Sequence, residues 1–209
     1  MATPPYRIET DRLLLRCWNP GDAPLLEDAV TSSLPELSEW MPWVHDEPIS
    51  IDRRIELLRG FRAQFDSGED AIYGIFSPDG SRVLGGTGLH PRGGLDALEI
   101  GYWIRTDATG QRLAGEAAAA LTRAGLRICG VDRMEIRVDP RNERSARIPE
   151  RLGYRREALL RRRLPPTAPG RPRSDVLLFT MFSDGFEGTP AAAVPIRAFD
   201  AAGRPVAAG

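Results

Sequence analysis

Two segments of this sequence change period abruptly, and that switch limits the folds open to the chain. Ala97 to Arg105 (ALEIGYWIR) alternates like a strand, and the alanine-rich run from Gly110 to Ile128 then reads as a helix. Arg133 to Val138 (RMEIRV) again reads as a strand and leads into a short helix over Asn142 to Leu152. Strand-to-helix crossovers of this kind join parallel neighbours. Other strands follow one another through turns: Ala71 to Phe76, then Pro78-Asp79-Gly80, then Val83 to His90, then Pro91 to Asp96. With only two crossovers, the sheet is expected to be partly parallel and partly antiparallel, an α/β layout.

The remaining elements frame this centre. Arg12 to Trp18 (RLLLRCW) reads as an opening strand, broken by Pro20-Gly21-Asp22, and Asp22 can cap a helix running to about Val30. Leu34 to Pro48 is interrupted by three prolines yet carries Trp40, Met41, Trp43 and His45, too aromatic for a solvated loop. Ser50 caps an amphipathic helix with Ile51, Ile55, Leu58, Phe61 and Phe65 on one face, ended by Ser67-Gly68. Tyr154 to Arg163 and Asp175 to Phe182 read as two further strands joined by a Pro-rich loop. Past Asp184 the composition turns to Gly, Pro and Ala. Residues 185–209 are therefore expected to be an accessory or disordered tail, with a weak hairpin around Ala201-Ala202-Gly203 as the alternative.

Composition excludes several function classes. The chain has 209 residues, enough for one domain with a real core, and its 28 basic and 29 acidic residues leave a formal charge of −1. No global basic field exists to collect nucleic acid or an anionic membrane. All the basic residues are arginines, which excludes a lysine Schiff base, a P-loop lysine and a lysine general base. Arginine without lysine, alongside abundant Ala, Gly and Pro, points to the codon usage of a GC-rich bacterial genome. Cys17 and Cys129 are far apart, and two histidines without an H-E-x-x-H pattern argue against a metal site. Met1 to Arg7 carries no apolar run of the secretion-signal kind, and no stretch approaches the roughly 20 apolar residues of a membrane span. The expected location is the cytosol.

Leu98 to Leu121 (LEIGYWIRTDATGQRLAGEAAAAL) and Val138 to Arg161 (VDPRNERSARIPERLGYRREALLR) together resemble the GCN5-related N-acetyltransferase (GNAT) family. The narrower resemblance is to its RimJ/RimL branch, the ribosomal-protein N-terminal acetyltransferases. Glu9-Thr10-Asp11-Arg12-Leu13 and the Trp40–Trp43 segment also look like that branch. The resemblance spans about residues 7–183, so a single GNAT domain over 7–184 is expected, with a mixed twisted sheet flanked by helices. It implies acetyl-CoA as co-substrate, no metal, and direct attack by an amine in a ternary complex. The acceptor would be a protein N-terminus or a small amine. The alternative is a non-catalytic CoA-binding or interaction module. A homodimer is compatible with either.

The residues support this chemistry independently at several points. A helix N-terminus following a strand presents unpaired N–H groups and a positive dipole end, which suit a pyrophosphate. Gly110, Gln111, Arg112, Leu113, Ala114 and Gly115 have that placement. The family pattern there is Q/R-x-x-G-x-G/A, and this chain departs from it at Thr109 and at Arg112, where glycine would let the backbone approach the phosphates. Glu99 is the candidate general base, with a solvent-facing strand residue as the plain alternative. The resemblance places main-chain donors for the acetyl carbonyl near Trp103, Ile104 and Arg105. Asn142 and Ser145 match the family's N-x-x-S, followed by Leu152-Gly153-Tyr154. By resemblance Asn142 would bond the pantetheine or hold the loop, with an ordinary N-cap as the plain alternative, and Ser145 would protonate the departing thiolate. Tyr154 is a second candidate acid, with a core aromatic as the favoured alternative. Trp40 and Trp43 would wall the acceptor entrance or form a satellite core.

Overall fold

The computed structural model describes residues 2–168 and 170–207. In chain order the elements are β1 (Arg7–Glu9), β2 (Leu14–Cys17), α1 (Ala23–Thr31), α2 (Leu34–Leu37), α3 (Ile51–Ser67), β3 (Ala71–Phe76), β4 (Val83–His90) and β5 (Ala97–Ile104). They continue with α4 (Leu113–Arg123), β6 (Arg133–Val138), α5 (Glu143–Leu152), β7 (Arg155–Leu164), β8 (Ser174–Phe182), β9 (Arg197–Phe199) and β10 (Pro205–Val206). The described strands form one sheet ordered β10-β9-β1-β2-β3-β4-β5-β6-β8-β7. Its one parallel pair is β5 with β6, joined through α4, so the sheet is mixed as the two crossovers require.

Helices cover both faces. On one, α4 lies so close that Ala117 to Leu121 are fully buried, and a Cβ on Gly125 would fall 2.3 Å from Met134 Sδ. Small side chains are what allow that approach. On the other, α1 and α3 bury Leu26, Ala29, Val30 and Leu58 against Trp18, Phe76 and Val83. Ser50 caps α3 through its hydroxyl (Arg53 N–H to Ser50 Oγ, 3.2 Å), and Gly68, at φ 75°, ends it.

Two boundaries differ from the sequence reading. The alanine-rich helix begins at Leu113 rather than Gly110, because Gly110 (φ 79°) and Arg112 (φ 63°) occupy the left-handed region and cannot be helical. It also continues past Arg123 as a π-helical turn over Ala124–Cys129. Residues 185–207 pack onto the domain as an accessory segment, and the hairpin alternative around Ala201-Ala202-Gly203 is the one found, with β9 paired antiparallel to β10. Phe186 and Ala191 are fully buried, Arg127 stacks 4.9 Å above the Phe186 ring, and β9 pairs antiparallel with β1. Two well-placed apolar residues outweigh a composition that averages to a tail.

Candidate active site

The parallel pair comes apart partway along. Its register runs from Ala97↔Arg133 to Ile100↔Ile136. Beyond that, β5 follows β4 to Ile104 while β6 follows β8 to Val138. Each strand then feeds a helix, α4 or α5, whose N-terminus sits at the strand's carboxyl end. Open sheets bind ligands in such a crevice. A cavity of about 970 Å³ opens there, lined by Gly101, Tyr102 and Trp103 of β5, Arg137 and Val138 of β6, and Asn142 and Ser145.

The start of α4 follows the carboxyl end of β5, and Gly110 to Gly115 lie outside the cavity lining. The first N–H groups of any helix lack intrahelical partners, and no side chain caps those of α4. Thr109 to Arg112 are exposed in front of them. This arrangement fits a CoA pyrophosphate. The loop is braced from below by the opening motif of the chain. Thr10 Oγ1 donates to Glu116 Oε1 (2.5 Å), Arg12 Nε to Glu116 Oε2 (2.7 Å) and Arg12 Nη1 to the Gln111 carbonyl (3.1 Å). Glu116 was not singled out from the sequence. Its position in an alanine-rich helix reads as an ordinary surface residue.

By contrast α5 borders the cavity, through Asn142 and Ser145. Asn142 caps it, its Oδ1 accepting from Ser145 N–H at 3.0 Å. The Ser145 hydroxyl meets the phenol of Tyr102 at 3.2 Å. Burial pushes the Tyr102 phenol up to about 12, with the Ser145 contact pulling the other way, so it stays protonated at neutral pH. Tyr102 bridges the crevice, a role that strand alternation alone does not reveal.

The remaining predicted residues divide. Trp40, Met41 and Trp43 line the cavity, with Trp43 tilted against Trp103 at 5.9 Å between ring centroids. Behind them a buried pair, Arg54 with Glu47 (2.8 and 3.0 Å), joins α3 to their loop. His45 Nε2 meets the Thr167 carbonyl, bringing that loop to the β7–β8 connection. Glu99 lies outside the cavity lining and its carboxylate faces Arg137 Nε at 3.3 Å.

Arg105 is not a crevice donor. Its N–H goes to the Leu84 carbonyl (2.9 Å), and its buried guanidinium holds Asp28 and Asp107 (both 2.8 Å). Ile104 packs partly buried against the core on the α4 side. Tyr154 is corrected to a core residue: it is 5% exposed, and its hydroxyl bonds Thr122 Oγ1 at 2.7 Å. Burial drives its phenol far above the ordinary range. His90 ends β4, where the sequence reading places the end of that strand, and it lines the cavity, a role not singled out from the sequence.

Comparison with known proteins agrees with this geometry. The acetyltransferase (GNAT) domain family matches residues 12–155. The ribosomal protein uS5-alanine N-acetyltransferase of Escherichia coli (strain K12) is 31% identical over 160 residues, covering 74% of this chain and 80% of that protein. Mycobacterium smegmatis RimJ in complex with CoA-disulfide matches with a TM-score of 0.77 at 23% identity, over 91% of this chain and 94% of that one. Microcin C7 self immunity acetyltransferase MccE, in complex with acetyl-CoA and AMP, matches at 0.73 and 16% identity, over 82% of this chain and 93% of that one. The chain belongs to the GNAT acetyltransferase family, among relatives of RimJ/RimL type, and is an acetyl-CoA-dependent N-acetyltransferase.

Proposed function

We propose that the chain acetylates the α-amino group of a protein N-terminus, in the cytosol of a bacterium. The observation that carries this reading is the crevice between β5 and β6, which forms part of one cavity of about 970 Å³ that Trp40, Met41 and Trp43 also line. The 31%-identical relative, named for a ribosomal-protein alanine, supports a protein acceptor. The first-turn N–H groups of Leu113, Ala114 and Gly115 and the loop of Gly110, Gln111 and Arg112 would hold the CoA pyrophosphate. Asn142 would steady the pantetheine arm. Trp40 and Trp43 would position the acceptor.

Bound acetyl-CoA supplies the activated acyl group. Beyond Ile100 the β5 backbone has no β6 partner in the register; the Arg105 N–H bonds the Leu84 carbonyl of the β4 side, so alternation turns the Ile104 N–H away from β4, where it can hold an acyl oxygen. Ser145, backed by Tyr102, is the proton donor for the departing sulfur.

A thiol-release assay with acetyl-CoA tests the acceptor class. Peptides beginning with Ala, Ser or Met should turn over at least about tenfold more efficiently than polyamines or aminoglycosides, roughly 1.4 kcal/mol of discrimination. Mass spectrometry should place the acetyl group on the α-nitrogen. Faster turnover of a small amine would overturn the proposal.

A further inference from the structure

We infer that His90, oriented by Asp70, is the general base that takes the proton from the acceptor ammonium. The inference rests on acetyl transfer to an amine at this same site.

Three observations carry it. First, His90 Nδ1–H donates to Asp70 Oδ1 at 2.6 Å, so the carboxylate fixes the tautomer and leaves the lone pair on Nε2. Second, the ring lies over a cross-strand glycine pair, Gly88↔Gly101. A Cβ on Gly88 would fall 2.5 Å from His90 Cε1 and 2.6 Å from Nε2, and one on Gly101 would be 3.4 Å from Nε2. The space the imidazole fills exists because both positions lack side chains. Third, Gly101 is the first β5 residue past the last β5–β6 register pair, so Nε2 sits where the crevice opens. His90 and Gly101 both line the cavity, whereas the Glu99 carboxylate is turned to Arg137.

The charged surroundings of His90 are specific. Asp70, ahead of β3, also accepts from Arg92 Nη2 at 3.3 Å. Glu99 of β5 is the direct cross-strand partner of His90, and Glu135 of β6 is the partner of Glu99. Arg137 ties these two carboxylates together. From α3, Arg53 and Arg54 line the same cavity.

The proton balance is complete. Nε2 accepts one proton from the acceptor R–NH3+ and later releases it to solvent. The freed nitrogen lone pair forms the C–N bond with the thioester carbonyl carbon. The C–S electron pair departs with sulfur, and the second nitrogen proton ends on the thiol by way of the Ser145 hydroxyl. The products are the acetamide, CoA thiol and one proton, and no further reactant is needed.

His90→Gln, Glu99→Gln and Asp70→Asn should be compared with the wild type on an α-amino peptide. His90→Gln is expected to lower kcat/KM by about a hundredfold or more and remove the acidic limb of its pH profile. Its acetyl-CoA affinity by calorimetry should be unchanged. Glu99→Gln should keep the limb. Nitrogen NMR of the imidazole should report the Nδ1–H form in the wild type and a tautomer mixture in Asp70→Asn. A His90→Gln enzyme with wild-type turnover and limb would overturn the inference, as would loss of the limb in Glu99→Gln alone. Should His90→Gln fail to fold, His90→Ala with added imidazole decides: rescue supports the base, and its lack in a folded, acetyl-CoA-binding variant overturns it. A wild type inert toward every amine would instead refute acetyl transfer itself.

Discussion

The hydroxyls of Tyr102 and Ser145 meet at 3.2 Å across the crevice, one carried by β5 and the other by α5. Among the described residues the Tyr102 phenol meets no other side chain, and it also donates to the Ser145 carbonyl at 3.3 Å. It therefore fixes where the serine hydroxyl points. Ser145→Ala should lower kcat about a hundredfold, the low end of general-acid effects, with little change in acetyl-CoA affinity. Tyr102→Phe removes one orienting hydrogen bond and should cost about tenfold. The double variant should be scarcely worse than Ser145→Ala, because both changes remove parts of one unit. Additive losses in steady-state kinetics would show that the two hydroxyls act separately.

Tyr154 lies in the family-like Leu152-Gly153-Tyr154 run, but its hydroxyl is spent inside the core. Thr122 Oγ1 donates to the Ala118 carbonyl and accepts from Tyr154. Tyr154→Phe should lower stability by about 1 kcal/mol, the value of one buried hydrogen bond, while kcat stays at the wild-type level. Denaturant melts and turnover on the same preparation check both halves. A kcat loss without a stability loss would return Tyr154 to the active site.

The limits of the sequence reading follow the range of the interactions involved. The mixed sheet, the helices after β5 and β6 and the Asn142 cap are written in local pattern and found; the crossover through α5, however, leads to β7, which β8 separates from β6. His90 reads as the last residue of a strand, just ahead of a turn; only the register with β5 sets it over Gly88 and Gly101. Glu99 falls on the right strand, but its partner Arg137 lies on a parallel neighbour, brought beside it by α4. The brace from Thr10 and Arg12 to Glu116 spans more than a hundred positions, which no periodicity reports. Phe186 fills the core from within a Gly- and Ala-rich stretch, where averaged composition hides single residues.

Arg112 stands at the N-cap of α4 with φ 63°, in the loop proposed to hold the pyrophosphate, where the pattern that the sequence resembles has glycine. A non-glycine residue in the left-handed region costs about 1–2 kcal/mol. Glycine's greater freedom in the unfolded chain takes back about 0.4–1 kcal/mol. Arg112→Gly should therefore leave stability unchanged or slightly higher and keep or improve acetyl-CoA affinity. Thermal melts and calorimetry read the two effects independently. A large loss of affinity would mean that the guanidinium itself contacts phosphate.

Asp139 opens the turn into α5, its carbonyl accepting from Asn142 N–H at 2.8 Å. Burial pushes its carboxyl up, but the Arg141 side chain and backbone, with Ser174, outweigh this and hold it below the usual carboxylate range. The Arg141 bonds to Oδ1 and Oδ2 are 2.9 and 2.7 Å. A lowered folded-state value stabilises the protein above the unfolded carboxylate pKa of about 3.9, and that contribution is lost as pH falls through the folded value. Asp139→Asn removes the charge at nearly constant shape. Asp139 is buried but Arg141 is half exposed, so solvent screening holds the pair to about 1 kcal/mol, or roughly 2–4 °C in a chain of this size. The wild type should thus melt above the variant by a constant margin from about pH 5 to 8, and the margin should close as pH drops below about 4. A margin that persists in acid would place the effect in packing of the turn rather than in the ion pair. Because the same turn presents Asn142 and Ser145, weaker acetyl-CoA binding by Asp139→Asn should appear at neutral pH and fade with the margin.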